Sequence, residues 1–238
     1  MKKVIALVVI FVCVGAALSA EEFRMSIGGG GLFDMSFGNG LKDTEKTPIG
    51  NVDSTLSFNT TSFGGFVFFD LTYAVIDVSF AHGSSEMKGE ISGGGVSLTM
   101  SEDTGTGMQL GIGVMGKFPI DLDGITLFPL LGINYNMILS AKDKDGKVVQ
   151  TYNKSTGLPE DMNTVKELSQ LGFIGGVGLD VPINDNLFFR AEALLNVRLP
   201  SKQMKDMFDE MKKDEDFDSG KLTLGIGPRI KLGIGYKL

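Results

Sequence analysis

The C-terminal stretch KLTLGIGPRIKLGIGYKL, Lys221 to Leu238, alternates almost without a break. Leu222, Leu224, Ile226, Pro228, Ile230, Leu232, Ile234, Tyr236 and Leu238 fall on one face of an extended strand. Lys221, Thr223, Gly225, Gly227, Arg229, Lys231, Gly233, Gly235 and Lys237 fall on the other. Side chains of a strand point to opposite faces in turn, so a period of two sustained this long marks a strand and not a helix. The puzzle is chemical: an unbroken apolar face is backed only by glycine, hydroxyl and positive charge.

The same pattern recurs in ITLFPLLGINYNMIL (125–139), LGFIGGVGLDV (171–181) and NLFFRAEALLNVRL (186–199). Followed along the chain it predicts eight strands, at 22–35, 60–71, 73–83, 105–118, 125–139, 168–181, 187–199 and 221–237. Three connections are short: Leu71-Thr72, Pro119 to Gly124, and Pro182 to Asn186, the last two carrying Pro, Asn and Asp-Gly turn chemistry. The other four, 36–59, 84–104, 140–167 and 200–220, are long. Antiparallel strands crossing a slab put every second connection on the same side, and short turns on the periplasmic side with long loops outside are the layout of an outer-membrane barrel.

The glycines decide which face looks inward. Gly111, Gly113, Gly172, Gly176, Gly178, Gly225, Gly227, Gly233 and Gly235 all lie on the less apolar face. Glycine weakens a strand exposed to water for no packing return, whereas a crowded lumen needs it. The apolar face therefore looks at lipid, and closure of the sheet pairs the backbone groups that hydrocarbon would leave unsatisfied. The expected fold is all-β, an eight-stranded antiparallel up-and-down transmembrane β-barrel with short periplasmic turns and long outer loops. Pro129 and Pro228 each remove a ladder donor and call for a local bulge or kink.

Lys2 and Lys3, an apolar run from Val4 to Val14 and small residues up to Ala20 have the layout of a cleaved export signal. The expected organisation is a signal at 1–20 and one barrel domain at 21–238, in the outer membrane. Without Lys2 and Lys3 the 22 basic side chains fall to 20 against 29 acidic ones. That balance offers no basic face for nucleic acid. Cys13 lies inside the signal, so the exported chain needs no disulfide framework.

The whole-chain layout over 22–238, with its loop asymmetry and turns such as PINDNLFFRAE, resembles the small eight-stranded outer-membrane barrels of the OmpW and OmpX type. One departure is the last residue: such barrels usually end in an aromatic, whereas Leu238 ends this chain and Tyr236 stands two before it. The OmpW resemblance implies a narrow channel or binding barrel for small hydrophobic molecules. The OmpX resemblance implies a surface protein whose long loops engage other cells or molecules.

Alternation places Arg24, Asp34, Asp70, Asp77, Lys117, Asp180, Arg190, Glu192, Arg198, Arg229, Lys231 and Lys237 on the lumen face, as a salt-bridged plug or a polar conduction path. Phe66, Phe68, Met115, Leu130, Ile138, Ile174 and Leu194 lie nearer mid-strand on the same face, as barrel filling or as a hydrophobic ligand patch. Candidate ligand or lumen residues are thus Phe66, Phe68, Met115, Leu130, Ile174, Leu194, Arg190, Glu192, Arg229, Lys231 and Asp77. His82, in AHGSSE, stands on the lipid face at the outer rim, where it resembles the His-x-Ser of lipid A deacylases without their following Asn; a lipid-modifying enzyme is a third reading. Asp143 to Gly146 carries two oxygens of a calcium loop but reads as a turn. Met204, Met207, Phe208 and Met211 recur at helical spacing in the last outer loop, a short amphipathic helix that caps the lumen or rests on the membrane. No cofactor is expected. The expected partners are outer-membrane lipids, a small hydrophobic ligand, and a surface partner reached through the loops.

Overall fold

The computed structural model describes residues 24–47, 50–93, 96–152, 159–161, 164–212 and 220–238. The export segment at 1–20 lies outside them. Eight strands form the barrel: β1 (Met25–Thr47), β2 (Gly50–Leu71), β3 (Ala74–Gly93), β4 (Val96–Lys117), β5 (Ile125–Lys142), β6 (Gln170–Pro182), β7 (Leu187–Arg198) and β8 (Gly225–Lys237). Each pairs antiparallel with its neighbours in sequence, and β8 returns to β1 from Ser26↔Lys237 to Phe37↔Ile226. The ring is closed, so its membrane section has no open edge.

The turn end is tight. Asp123 and Gly124 both take positive φ, 44° and 93°, the pair a two-residue hairpin turn between a short strand, Ile120–Leu122, and β5 requires. Asn184 Oδ1 accepts from the backbone N–H of Asn186 and of Leu187 at 3.0 and 2.8 Å, closing the β6–β7 turn. Thr72, also at positive φ, exchanges two 2.8 Å hydrogen bonds with the backbone of Arg24. Both ends of the described chain therefore lie on the short-turn side.

The prolines behave differently from expectation. The β1–β8 ladder passes from Asp34↔Arg229 directly to Phe37↔Ile226 with no change of register, so Pro228 costs rungs but makes no bulge. Pro129 lies just beyond the last β4–β5 rung, Lys117↔Leu130, where only its carbonyl is needed; it accepts from Phe118 N–H at 3.2 Å. Register shifts occur elsewhere, at Ser36/Asn39, Ser85/Glu86 and Met108/Gln109, toward the outer end of their strands.

The outer end corrects the predicted boundaries. Segments 36–59 and 84–104 are not loops: β1 runs to Thr47, β2 begins at Gly50, β3 runs to Gly93 and β4 begins at Val96. Two long hairpins thus rise past the membrane on one half of the barrel. In contrast, the β5–β6 connection holds the turn at Asp143–Gly146, a short hairpin (Gln150–Tyr152 with Pro159–Asp161) and helix α1 (Thr164–Glu167). Asp143 Oδ1 is spent on the N–H groups of Asp145 and Lys147, both at 2.9 Å, as a turn residue's would be. The β7–β8 connection holds helix α2 (Lys202–Met211), which buries Met204 and Phe208 as its spacing predicts.

The exterior sorts by height. On β2 the outward positions Phe63, Gly65, Val67, Phe69 and Leu71 give way to Thr61, Asn59, Ser57 and Thr55 toward the hairpin tip. Phe63 to Leu71, at ~3.3 Å per residue and a tilt of ~40°, make a band about 20 Å tall, most of the ~25 Å apolar belt of such barrels. Val67, Phe173, Val177, Leu131 and Ile234 are 49 to 71% exposed around it. Such a continuous apolar belt is a lipid-facing surface, far beyond the patch a soluble protein tolerates.

Candidate functional site

The lumen is filled, and the filling follows one rule across neighbouring strands: a large inward side chain faces a glycine. Phe68 pairs with Gly28, Phe66 with Gly30, Phe128 with Gly178, Phe188 with Gly235, Arg190 with Gly233 and Asp77 with Gly113. A Cβ at Gly113 would stand 2.7 Å from Asp77, and one at Gly178 or Gly235 would enter the facing ring. Several glycines read as lumen-facing in the sequence, Gly113, Gly178 and Gly235 among them, are therefore the space into which the neighbouring side chains fold.

Charges inside this packing form three clusters. At the turn end, Arg190 bridges Asp70 and Asp180, and Lys117 holds Asp70 at 2.6 Å and Asp180 at 3.6 Å. The Arg190 guanidinium lies 4.3 to 5.2 Å from the centroids of Phe68, Phe128 and Phe188, an aromatic cage around a buried cation. At mid-height Lys231 meets Asp77 at 2.9 Å and Glu192 at 3.3 Å. Toward the outer end Asp34 accepts from both Arg198 and Arg229, the latter at 2.7 Å, and Arg229 reaches Asn136 at 3.3 Å.

Among the described residues the interior carries five cations and five carboxylates, so it is neutral as a whole. Layer by layer it is not: the turn-end cluster is neutral, the middle one carries a surplus negative charge and the outer one a surplus positive charge. Isolated burial of any of these groups would cost several kcal/mol, which explains why each cation touches a carboxylate.

The structure buries all eleven candidate lumen residues in this interior: Phe66, Phe68, Met115, Leu130, Ile174 and Leu194 as apolar filling, Arg190, Glu192, Arg229, Lys231 and Asp77 in the clusters. Arg24 and Lys237, predicted to face the lumen, are exposed at the turn-end rim instead, because the alternation continues past the level where the barrel encloses them. His82 points outward with its ring edge-on to Phe63, centroids 6.4 Å apart. Among the described residues it has no hydrogen bond to Ser84 or Glu86, and Glu86 accepts from Ser101 instead. A nucleophile with an oriented base is not assembled there.

What the sequence did not reveal is a cavity of ≈ 280 Å³ at the outer mouth, above Asp34 and its arginines. Phe58, Ile138, Leu168, Met204 and Met207 supply apolar wall; Thr60, Ser62 and Gln109 supply hydroxyl and amide groups; Arg198 reaches it from below. Helix α2 forms one side. Its N-cap Ser201 accepts from Met204 N–H at 3.4 Å, and Lys202 ties it to α1 through Glu167 at 2.8 Å while pairing with Asp206 at 2.9 Å. The Glu167 carboxylate, with Asp206 after it, holds the Lys202 ammonium above its ordinary value. The sequence signal was present in the Met204/Met207/Phe208 periodicity, but only the fold places that stripe over the barrel.

The wall opposite the helix continues the apolar surface upward. Phe58 pairs with Met87, and beyond the bulge Gly89 pairs with Met100, Ile91 with Leu98 and Gly93 with Val96. By this register Met87, Ile91, Val96, Leu98 and Met100 share the inner face of the rising hairpins with Phe58. Ile91, Leu98, Met100 and Val96 are 50 to 71% exposed, well above the membrane band.

No family model matches the chain, and no curated protein matches its sequence. Among solved structures it is similar to the outer membrane protein OprG from Pseudomonas aeruginosa, at 11% identity and a TM-score of 0.46 over 92% of this chain and 97% of that one. It is also similar to Neisserial surface protein A, at 8% identity and a TM-score of 0.45 over 92% and 100% of the two chains. The third is Ail, the attachment invasion locus protein of Yersinia pestis in complex with the heparin analogue sucrose octasulfate, at 15% identity and a TM-score of 0.37 over 92% and 100%. With its own closed ring, lipid-facing belt and filled interior, the chain is a small eight-stranded transmembrane β-barrel.

Proposed function

We propose that this barrel, exported by a signal removed after Ala20, binds a small hydrophobic molecule in its outer mouth and does not pass it along the barrel axis. The observation that carries this reading is the apolar-walled cavity beneath α2. Its size is at the small end for ligand sites, and a concave apolar pocket with a few polar groups is what such sites are made of. Below it the Gly-and-large pairing and three charge clusters leave the axis occupied.

The test uses residues 21–238 refolded into a planar bilayer and into lipid vesicles. The expected outcome is stable insertion without discrete conductance, together with saturable binding of a fluorescent hydrophobic probe. Discrete openings blocked by small hydrophobic compounds would overturn it in favour of a conduit through Phe66, Met115 and Leu130.

A second reading rests on a separate observation, the two hairpins that carry β1 to β4 above the belt and expose Val96, Leu98 and Met100. On this reading the barrel is a stand and the hairpins are an adhesive surface. Shortening them by deletion of 42–55 and 88–101, with insertion retained, then abolishes cell attachment; unchanged attachment sinks the idea.

A further inference from the structure

The outer pocket differs from a simple hydrophobic hole in one respect: its floor is positively charged. Arg198 lines the cavity, yet its side chain is 6% exposed. Among the described residues its carboxylate partner is Asp34, which is fully buried and also serves Arg229. Two guanidinium groups thus share one carboxylate at the base of an apolar chamber, and arginine stays protonated at any working pH. Arg198 also donates to Thr60 Oγ1 at 3.3 Å, a neutral group. Helix α2 adds to the same sign. Its N-terminal end, at Ser201 and Gln203, borders the cavity and has no acidic residue in its first turn.

An uncompensated positive charge in a low-dielectric pocket attracts an anion, and the guanidinium fork fits a carboxylate. The walls above it attract hydrocarbon: Ile138, Met204 and Met207 around the chamber, then Met87, Ile91, Leu98 and Met100 on the inner face of the hairpins. We infer that the pocket is a site for a single-chain carboxylate amphiphile of the free fatty-acid class, its head on Arg198 and its chain directed up the inner face of β2 to β4. This rests on the proposal that the mouth binds hydrophobic molecules and adds to it a charge and an orientation. The polarity also fits the exposed stripe: methionine and leucine half to two-thirds bare above the membrane gain cover from the chain.

The experiment compares decanoate, decanol and decyltrimethylammonium as competitors of a fluorescent hydrophobic probe on residues 21–238 in neutral phosphatidylcholine nanodiscs. Decanoate is expected to bind at least about tenfold more tightly than either of the others, the worth of one charge-assisted contact out of water. Arg198→Gln should remove that preference, and Arg198→Lys should restore part of it. Arg229 still holds Asp34 in both variants. Binding of all three competitors with equal affinity to the unmodified chain overturns the carboxylate inference and leaves the hydrophobic site standing. Failure of every competitor and of the probe overturns the site itself. The comparison on the unmodified protein decides the matter even where an Arg198 variant does not refold.

Discussion

Asp34→Asn is the most exacting test of a closed lumen. The side chain is fully buried, and Oδ2 alone accepts from Arg198 and from Arg229. Asparagine keeps the outline and removes the charge, leaving two buried guanidinium groups against a neutral amide. Two charge-assisted hydrogen bonds at ~1.5–3 kcal/mol each put the loss at about 3–6 kcal/mol, which agrees with the ~3–5 kcal/mol seen when one partner of a buried pair is removed. Against a total stability of ~5–15 kcal/mol this is a large fraction. Urea unfolding of the refolded barrel in lipid vesicles, followed by far-ultraviolet circular dichroism, reads it directly. The double change Asp34→Asn with Arg198→Met leaves one outer cation and should recover about 1–3 kcal/mol relative to the sum of the single changes. If Asp34→Asn costs less than about 1 kcal/mol and the two changes add, water already screens these groups. The lumen is then an open polar path, and the filled-barrel reasoning fails.

Other consequences follow from the packing and the mouth. Gly178→Ala drives a Cβ into the Phe128 ring and should cost about 1–3 kcal/mol in the same assay, with Gly178→Ala/Phe128→Leu recovering part; no loss would mean that the ring has another place to go. Met207→Arg, on the pocket side of α2, should weaken probe binding at least about tenfold without moving the unfolding midpoint, as it puts a charge against apolar wall; unchanged binding would move the ligand elsewhere. At the hairpins, Lys144 donates to Glu102 at 2.8 Å and holds that carboxyl below its ordinary value. A depressed carboxylate stabilises the folded arrangement above the unfolded value of ~4.3, and that contribution is lost as pH falls through the folded value. Carbon-13 titration of Glu102 should therefore give a midpoint below the usual glutamate range that rises in Lys144→Met, and an unmoved midpoint refutes the contact.

The membrane section was legible because lipid and lumen impose opposite chemistry on alternate residues. On β5 the contrast between Leu131, Ile133 or Tyr135 and Gly132, Asn134 or Asn136 gives strand, face and environment together. Above the belt that contrast thins: Thr60 and Thr61, and Ser101 to Thr104, are polar on both faces, and the alternation of Val96, Leu98 and Met100 with Ser97, Thr99 and Ser101 is short and isolated, so period two marks these stretches only weakly. The loop readings at 36–59 and 84–104 failed for that reason, although Thr and Ser fit strands well. Lumen membership was legible for the same residues, but pairing was not. That Arg229 meets Asp34 rather than Glu192 depends on the β1–β8 register, which only closure of the ring fixes. The pocket was hidden for a different reason. Phe58, Gln109, Ile138, Arg198 and Met207 come from five separate elements, and no local pattern joins them.

The layered charges couple the mouth to the middle of the barrel, and Glu192→Gln exposes that coupling. Both Glu192 carboxylate oxygens have no hydrogen-bond partner, and its contact is the 3.3 Å approach to Lys231, which Asp77 holds more closely at 2.9 Å. Glutamine therefore fits with little lost, so the cost in stability should stay well below that of Asp34→Asn. Electrically the change is larger: the middle cluster becomes neutral and the interior as a whole gains one positive charge. Glu192 lies six positions from Arg198 on the inward face of β7, about 20 Å at ~3.3 Å per residue. At an effective dielectric constant of ~20, one unit charge at that distance is worth about 0.8 kcal/mol, or roughly fourfold in affinity. Decanoate should bind Glu192→Gln about fourfold more tightly while decanol does not change. Equal shifts for both would trace the effect to repacking, and no shift for decanoate would mean that water between the clusters screens them from one another. Only a differential shift is consistent with a closed interior whose surplus charges at mid-height and at the mouth balance through protein.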